Sequence, residues 1–188
     1  MENNEFYKKL KSYGEKINIE ISEEESNKLY MYMNLMLEWN KKINLTSITD
    51  EEDIIIKHFV DSLSINKYLS KNKNVMDVGT GAGFPGIPLK IFNEDIEFIL
   101  VDSLNKRINF LEEVKQALNI NKLELVHSRI EDLAKDIKYR EKIDIVVSRA
   151  VANLSVLSEY MLPFVKIGGF CICMKGPNID DELENSKN

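Results

Sequence analysis

Cysteine, histidine and proline are scarce in this chain, with two, two and four residues among 188. So few cysteines exclude a disulfide scaffold, and Cys171 and Cys173, which lack a partner Cys or His nearby, do not form a metal site. Apolar stretches such as 170–174 are strand-sized, far short of the roughly 20 residues that cross a bilayer. The acidic residues 1–5 lead into no apolar segment of a signal peptide. We therefore expect a cytoplasmic protein without a membrane span or a metal.

An excess of positive charge is also lacking, because 25 basic and 31 acidic residues give a net charge of −6. The sequence thus carries no overall basic signature of nucleic-acid binding. Its hydrophobic content of 44% is enough to bury one full core, which excludes an intrinsically disordered chain. A monomer is expected.

Helical patterns fill residues 1–71, which we expect to form an N-terminal helical subdomain. The pattern Ser22-x-x-Glu25 is typical of a capping box and precedes a broad apolar face. A second pattern of this kind, Thr49-x-x-Glu52, predicts the start of a helix that runs through His58 and Asp61.

Residues 72–188 alternate between β-rich runs and helical segments, which is typical of a parallel α/β sheet. The helices are predicted to begin near Pro85, Asn105, Glu131 and Leu154. The predicted strands are Val75–Val78, Glu97–Asp102, Leu123–Ser128, Ile143–Ser148 and Gly169–Met174. Together they predict an open, Rossmann-like sheet with helices on both faces.

A glycine-rich loop, Asp77-Val78-Gly79-Thr80-Gly81-Ala82-Gly83-Phe84-Pro85-Gly86, lies where the first strand turns into the first helix of this region. Glycines allow close approach of the backbone to a ligand, and free N–H groups at the helix start favour an anionic group. Asp102, which ends the second predicted strand, is placed to accept hydrogen bonds from ribose hydroxyls. A nicotinamide dinucleotide and S-adenosylmethionine both fit these features, and the carboxylate of Asp77 favours the cationic S-adenosylmethionine.

The end of the fourth predicted strand, Ser148-Arg149-Ala150, is where an acceptor of the methyl group would bind. It lacks the Asn/Asp-Pro-Pro-aromatic signature of amine methylation and the Pro-Cys nucleophile of pyrimidine methylation. Guanine N7 fits such a site, because it carries no proton and needs little more than alignment. Arg149 would contact a carboxylate, a phosphate or a base edge. His58 shares a helix face with Asp61 and is the candidate base if one is needed.

Several motifs together resemble the bacterial small-subunit ribosomal RNA guanine-N7 methyltransferase family, also called glucose-inhibited division protein B. They are Asn44-Leu45-Thr46, His58-x-x-Asp61-Ser62-Leu63, the glycine loop extended to Leu89, Asp102-Ser103 followed by Lys106-Arg107, Ser148-Arg149-Ala150 and Lys175-Gly176. The resemblance implies a Rossmann-like class I methyltransferase fold that transfers a methyl group from S-adenosylmethionine to N7 of one guanine in 16S rRNA. Members of the family continue beyond the position of Lys175-Gly176 with two further strands, which we expect to be missing here.

The glycine-loop pattern and the resemblance together predict the site residues. The cofactor would be bound by Asp77, Gly79, Gly81, Gly83, Phe84, Asp102, Ser103, Ile130, Glu131 and Arg149, with Ser103 on the ribose side and Ile130 and Glu131 on the adenine side. Arg149 and His58 are the candidates for catalysis, although the resemblance assigns no chemical role to the motif of His58 and Asp61. The resemblance implies 16S rRNA in the small ribosomal subunit as the partner. The residues are also compatible with a small-molecule methyltransferase, a cofactor-binding module of ribosome assembly and, more remotely, an NAD-dependent reductase.

Overall fold

The computed structural model describes residues 1–71, 73–176 and 179–186. The predicted boundary between the helical subdomain and the α/β part falls at Asn72, which lies outside the described residues. None of the helices in the described part is both long and apolar enough to cross a membrane.

Five parallel strands form the sheet, as the alternating pattern predicted, in the order β3-β2-β1-β4-β5. They are β1 (Asn74–Val78), β2 (Glu97–Asp102), β3 (Leu123–His127), β4 (Ile143–Arg149) and β5 (Val165–Met174). The order of the strands reverses between β1 and β4, so the carboxyl ends of these two strands flank the crevice where open α/β sheets bind ligands.

Helices fill the N-terminal region and connect the strands of the sheet, as the sequence predicted. The helices are α1 (Asn3–Lys16), α2 (Glu23–Asn40), α3 (Glu51–Ile54), a π-helix (Ile55–Val60), α4 (Asp61–Leu63), a 3₁₀ turn (Asn66–Tyr68), α5 (Gly86–Ile91), α6 (Asn105–Ala117), α7 (Ile130–Leu133), α8 (Leu154–Met161), a second 3₁₀ turn (Leu162–Phe164) and α9 (Asp180–Asn185).

Two predicted boundaries need correction. The first capping box is confirmed at Ser22, but α3 is capped by Asp50 rather than Thr49, because the Asp50 carboxylate accepts from the backbone N–H groups of Glu52 and Asp53. Strand β5 begins four residues before the predicted Gly169, since a bulge lets it continue past the glycines: Ile143 pairs with Val165, yet Ile145 pairs with Phe170.

Apolar side chains cover both faces of the sheet. On one face the N-terminal helices pack directly against the α/β part through a cluster of aromatic rings from Phe6, Tyr32, Phe59, Phe84 and Phe110. The other face forms a second cluster, centred on β1, β4 and α8. The N-terminal helices therefore share their core with the sheet, and they reach the carboxyl ends of the strands.

Candidate functional site

The glycine loop between β1 and α5 is held at both ends by Asp77. One carboxylate oxygen, Oδ2, accepts from Thr80 Oγ1 at 2.7 Å and from the backbone N–H of Gly86 at 2.9 Å. The side chain is fully buried. Asp77 therefore fixes the path of the loop from the strand to the helix.

The second oxygen of Asp77, Oδ1, is buried and receives no hydrogen bond within the described part of the chain. Burial raises the pKa of Asp77 to about 6, although the bonds from Thr80 and Gly86 oppose this shift. An unsatisfied buried acceptor is costly, so this oxygen needs a donor that the described part of the chain does not supply.

The loop after β4 packs against the glycine loop. Gly79 has a φ of +69°, and a Cβ atom there would lie 2.6 Å from Cγ2 of Val151, so both the conformation and the space require glycine. Ala150 also has a left-handed φ of +56°, which is uncommon for a residue with a side chain. The loops that follow the paired strands β1 and β4 are therefore in contact.

Asp102, at the end of β2, links this strand to the glycine loop. Its Oδ2 accepts from the backbone N–H of Gly81 at 2.9 Å and from Arg107 at 3.2 Å, while Oδ1 accepts from the backbone N–H of Leu104. Only 3% of the residue is exposed. The carboxylate is thus held in a fixed orientation at the rim of a cavity.

That cavity, here called the glycine-loop cavity, has a volume of about 470 Å³. It is lined by Gly79, Asp102, Ser103, Arg107, Ser128, Arg129, Ile130, Glu131, Ala150, Val151 and Tyr160. Five of the predicted cofactor residues are therefore brought together, from the carboxyl ends of β1 and β2 with the loops that follow them and from α7. Sequence reasoning missed Tyr160, whose hydroxyl pKa is raised by the charge of Glu131. Its position, a tyrosine in the largely apolar helix α8, offered little to identify it.

Gly83 and Phe84 were expected to bind the cofactor, but the structure places them away from this cavity. A Cβ atom at Gly83 would lie 2.7 Å from the Tyr32 hydroxyl oxygen, so this glycine leaves room for α2. The ring of Phe84, 5% exposed, stacks on His58 with 4.3 Å between the ring centroids. Both residues therefore join the loop to the N-terminal helices.

His58 lies in the π-helix, and both of its ring nitrogens are engaged. A guanidinium only donates, so Nδ1 accepts from Arg149 at 3.1 Å, and Nε2 donates to Thr46 Oγ1 at 2.9 Å. Burial, together with the charge of Arg149, lowers the pKa of His58 to about 4. A neutral imidazole with both nitrogens bonded orients Arg149 in this structure, and a catalytic role for His58 stays a prediction.

Arg149, at the end of β4, turns toward the N-terminal helices rather than into the glycine-loop cavity. One nitrogen donates to the backbone carbonyl of Lys57 at 2.9 Å and to Asp61 Oδ2 at 2.7 Å, and the guanidinium lies 5.0 Å from the centre of the Phe84 ring. A contact between Arg149 and the cofactor therefore stays a prediction.

A second cavity, of about 620 Å³, opens between the π-helix and the ends of β4 and β5; we call it the helix-side cavity. It is lined by Ile48, Ile56, Lys57, His58, Asp61, Arg149, Ala150, Met174, Lys175, Gly176 and Glu182. Ala150 lines both cavities, so they adjoin at the end of β4. No group of three or more His, Cys, Asp or Glu side chains within residues 1–71, 73–176 and 179–186 is arranged to hold a metal ion.

Comparison with known proteins gives a family and a fold. The GidB family model, described as rRNA small subunit methyltransferase G, matches residues 25–188. The ribosomal RNA small subunit methyltransferase G of Alkaliphilus oremlandii is 53% identical over 180 residues, which are 95% of this chain and 75% of the relative. The protein of the same name from Clostridium novyi is 48% identical over 184 residues, covering 97% of this chain and 76% of the relative.

Among solved structures, a SAM dependent methyltransferase from Aquifex aeolicus aligns with a TM-score of 0.56 at 18% identity. The alignment covers 80% of this chain and 87% of the other. At that identity the likeness concerns the fold, and it supports the Rossmann-like architecture.

Proposed function

Because this chain belongs to the rRNA small subunit methyltransferase G family, whose activity is S-adenosylmethionine-dependent methylation of ribosomal RNA, we propose that it methylates N7 of a guanine in small-subunit RNA. The observation that carries the site assignment is the glycine-loop cavity, which gathers Gly79, Asp102, Ser103, Ile130 and Glu131 at the carboxyl ends of the strands. Membership of this family argues against an NAD-dependent reductase, a small-molecule methyltransferase and a binding module without catalytic activity.

The residues at the cavity fit S-adenosylmethionine. Beyond its chain neighbours, a Cβ atom at Gly81 would meet only the Gly79 carbonyl oxygen, 4.0 Å away, so the space above the loop is open to a ligand. Asp102 would hold the ribose hydroxyls, with Ser103 beside it, and Ile130 and Glu131 would contact the adenine. Asp77 is fully buried and is not among the residues that line the cavity, so its unsatisfied Oδ1 would reach the cationic end of the ligand through water.

When bound, S-adenosylmethionine supplies a methyl group on a positively charged sulfur: N7 of guanine forms the new bond to carbon, and the electrons of the broken carbon–sulfur bond stay on sulfur. No proton leaves the acceptor in this step, so no enzyme base is required. The arrangement at His58 agrees with such an acceptor, because its two nitrogens are used by Arg149 and Thr46. The contribution of the chain is then alignment, through the fixed loops after β1 and β4.

The small ribosomal subunit or its 16S RNA would be the partner, and the reaction would take place in the cytoplasm, where ribosomes are assembled. Because the net charge is −6, we expect the basic residues that contact RNA to be confined to one part of the surface.

Calorimetry with S-adenosylhomocysteine, combined with methyl transfer to small subunits that lack the modification, tests this function. Replacing Asp102 with alanine removes two ribose hydrogen bonds to a charged acceptor and frees Gly81, so affinity should fall about 100-fold or more. Asp53→Ala, which removes an exposed carboxylate paired with Lys57 at 2.9 Å, is the control and should bind like wild type. Failure of the wild-type chain to bind the ligand would refute the cofactor site, and binding without transfer to RNA would refute the substrate.

A further inference from the structure

The helix-side cavity has the chemical character of a site for a single nucleobase. Ile48, Ile56 and Met174 supply apolar surface, and Ile56 remains 36% exposed although its side chain is aliphatic. Carboxylates of Asp61 and Glu182 also line the cavity. A flat ring with apolar faces and hydrogen-bonding edges matches this combination, and RNA-modifying proteins commonly read such bases after they leave the stack.

A chain of hydrogen bonds fixes the Asp61 carboxylate. Thr46 Oγ1 accepts from His58 Nε2, His58 Nδ1 accepts from Arg149, and Arg149 donates to Asp61 Oδ2 at 2.7 Å. None of the residues that the structure describes donates a hydrogen bond to the other oxygen, Oδ1, of this half-exposed carboxylate. Asp61 therefore has one oxygen that is positioned and one that is available to a ligand.

Glu182, the other carboxylate of the cavity, has more hydrogen-bond partners than Asp61. Its Oε1 accepts from the backbone N–H of Leu154 and from Lys175, each at 2.7 Å, and its side chain is 23% exposed against 47% for Asp61. Asp61 is therefore the better-placed acceptor.

We propose that the helix-side cavity binds the target guanine and that Asp61 accepts hydrogen bonds from its N1–H and 2-amino groups. This assignment rests on the proposed function. Among the four bases of RNA, guanine alone presents two adjacent donors on its Watson–Crick edge, the arrangement that a carboxylate recognises. The 2-amino group and N7 lie on opposite sides of the purine, so a base read by Asp61 directs N7 away from the helix. Ala150, which adjoins both cavities, lies at the end of β4 on the side from which the methyl group would come.

The experiment compares small-subunit RNA that carries guanosine or inosine at the methylated position, once that position has been mapped. Inosine keeps N7 and N1–H but lacks the 2-amino group. We expect the wild-type chain to methylate the inosine RNA with kcat/KM lower by about 10- to 100-fold, the range for loss of a hydrogen bond to a charged group. Asp61→Asn should methylate guanosine RNA more slowly by a similar factor and should discriminate less than about threefold between the two RNAs.

Two further variants make the outcome specific. Asp132→Asn removes an exposed carboxylate that pairs with Lys135 outside the cavity, and it should keep wild-type discrimination.

Equal use of both RNAs by wild type, or full discrimination in Asp61→Asn, would overturn the assignment. Loss of discrimination in Glu182→Gln with retention in Asp61→Asn would transfer the role to Glu182 and likewise overturn it. Unchanged affinity of Asp61→Asn for S-adenosylhomocysteine is also required. No methylation of guanosine RNA by wild type would refute the proposed function itself.

Discussion

At the scale of single residues, Asp77 combines a structural role with a proposed role in ligand binding in one buried carboxylate. Oδ2 holds the loop through Thr80 and Gly86, while Oδ1 stays without a partner in the described structure. Burial of the unpaired oxygen costs stability, and the raised pKa of about 6 expresses this cost. The unpaired oxygen of Asp77 therefore lowers the stability of the fold at the position where we propose that a cationic ligand binds.

Asp77→Asn should raise the free energy of unfolding at neutral pH and weaken ligand binding. Because the folded-state pKa lies above the unfolded value of 3.8, protonated Asp77 favours folding; that contribution is fully present below about pH 4 and lost as the pH rises through 6. Asparagine does not titrate, so the variant should gain about 2 kcal/mol over wild type as the pH rises from 4 to 7.

Urea unfolding of both proteins across this pH range measures the difference. His58 has a lowered pKa, so its contribution is present above pH 6.5 and lost toward pH 4, but it is common to both proteins and cancels in the comparison. Affinity of Asp77→Asn for S-adenosylmethionine should fall at least about tenfold. A difference in stability that stays constant with pH would show that Asp77 keeps an ordinary pKa.

At the scale of secondary structure elements, helix α2 packs against the glycine loop and donates a hydrogen bond to it. The hydroxyl of Tyr32, fully buried, donates to the backbone carbonyl of Ala82, and Gly83 leaves the space that this hydroxyl occupies. Burial holds the pKa of Tyr32 well above its usual value, so the hydroxyl remains a donor. The N-terminal helices thus help to set the conformation of a loop that belongs to the α/β sheet.

Replacing Tyr32 with phenylalanine should weaken S-adenosylhomocysteine binding several-fold and lower the free energy of unfolding by about 1–3 kcal/mol, because the Ala82 carbonyl is left buried without a donor. The same helix provides a matched control, since the Tyr30 hydroxyl donates to the Met1 carbonyl at 2.9 Å, far from the loop. Tyr30→Phe should lose some stability and keep wild-type affinity in calorimetry. Equal affinities in both variants would limit Tyr32 to a purely structural role.

At the scale of the whole molecule, the shared aromatic core predicts that the helical region and the sheet unfold together. Trp39, the single tryptophan, reports on this contact because its ring lies 5.7 Å from Phe110 and its Nε1 donates to Glu113, both in α6. Tryptophan fluorescence and far-ultraviolet circular dichroism should therefore give the same urea midpoint.

S-adenosylhomocysteine at about 100 times its Kd should raise the free energy of unfolding by about 2.7 kcal/mol in both signals. An earlier fluorescence transition that the ligand leaves unchanged would instead show that the helical region unfolds independently of the sheet.

The sequence by itself determined where the strands and helices lie and where the glycine loop occurs. Alternating strand and helix patterns are local, since they depend on neighbours within a few positions, and they located all five strands to within a few residues at most. The glycine loop was found in the same way, because a strand that turns sharply into a helix needs glycine within that short segment. Asp102 was found by its place at the end of the second predicted strand. The bulge in β5 was missed, because it depends on pairing with β4 rather than on local pattern.

Only the tertiary structure decided which side chains face which cavity. Phe84 and Gly83 belong to the glycine loop in sequence, yet they pack on the π-helix and on α2, both far away along the chain. Lys90 carries a charge, yet the fold buries it, and it donates to the carbonyls of Asn93, Glu94 and Ile96. Arg149 meets Asp61 across 88 positions. Such contacts depend on how rigid elements pack, and side-chain orientation at an element's end follows that packing rather than the local sequence.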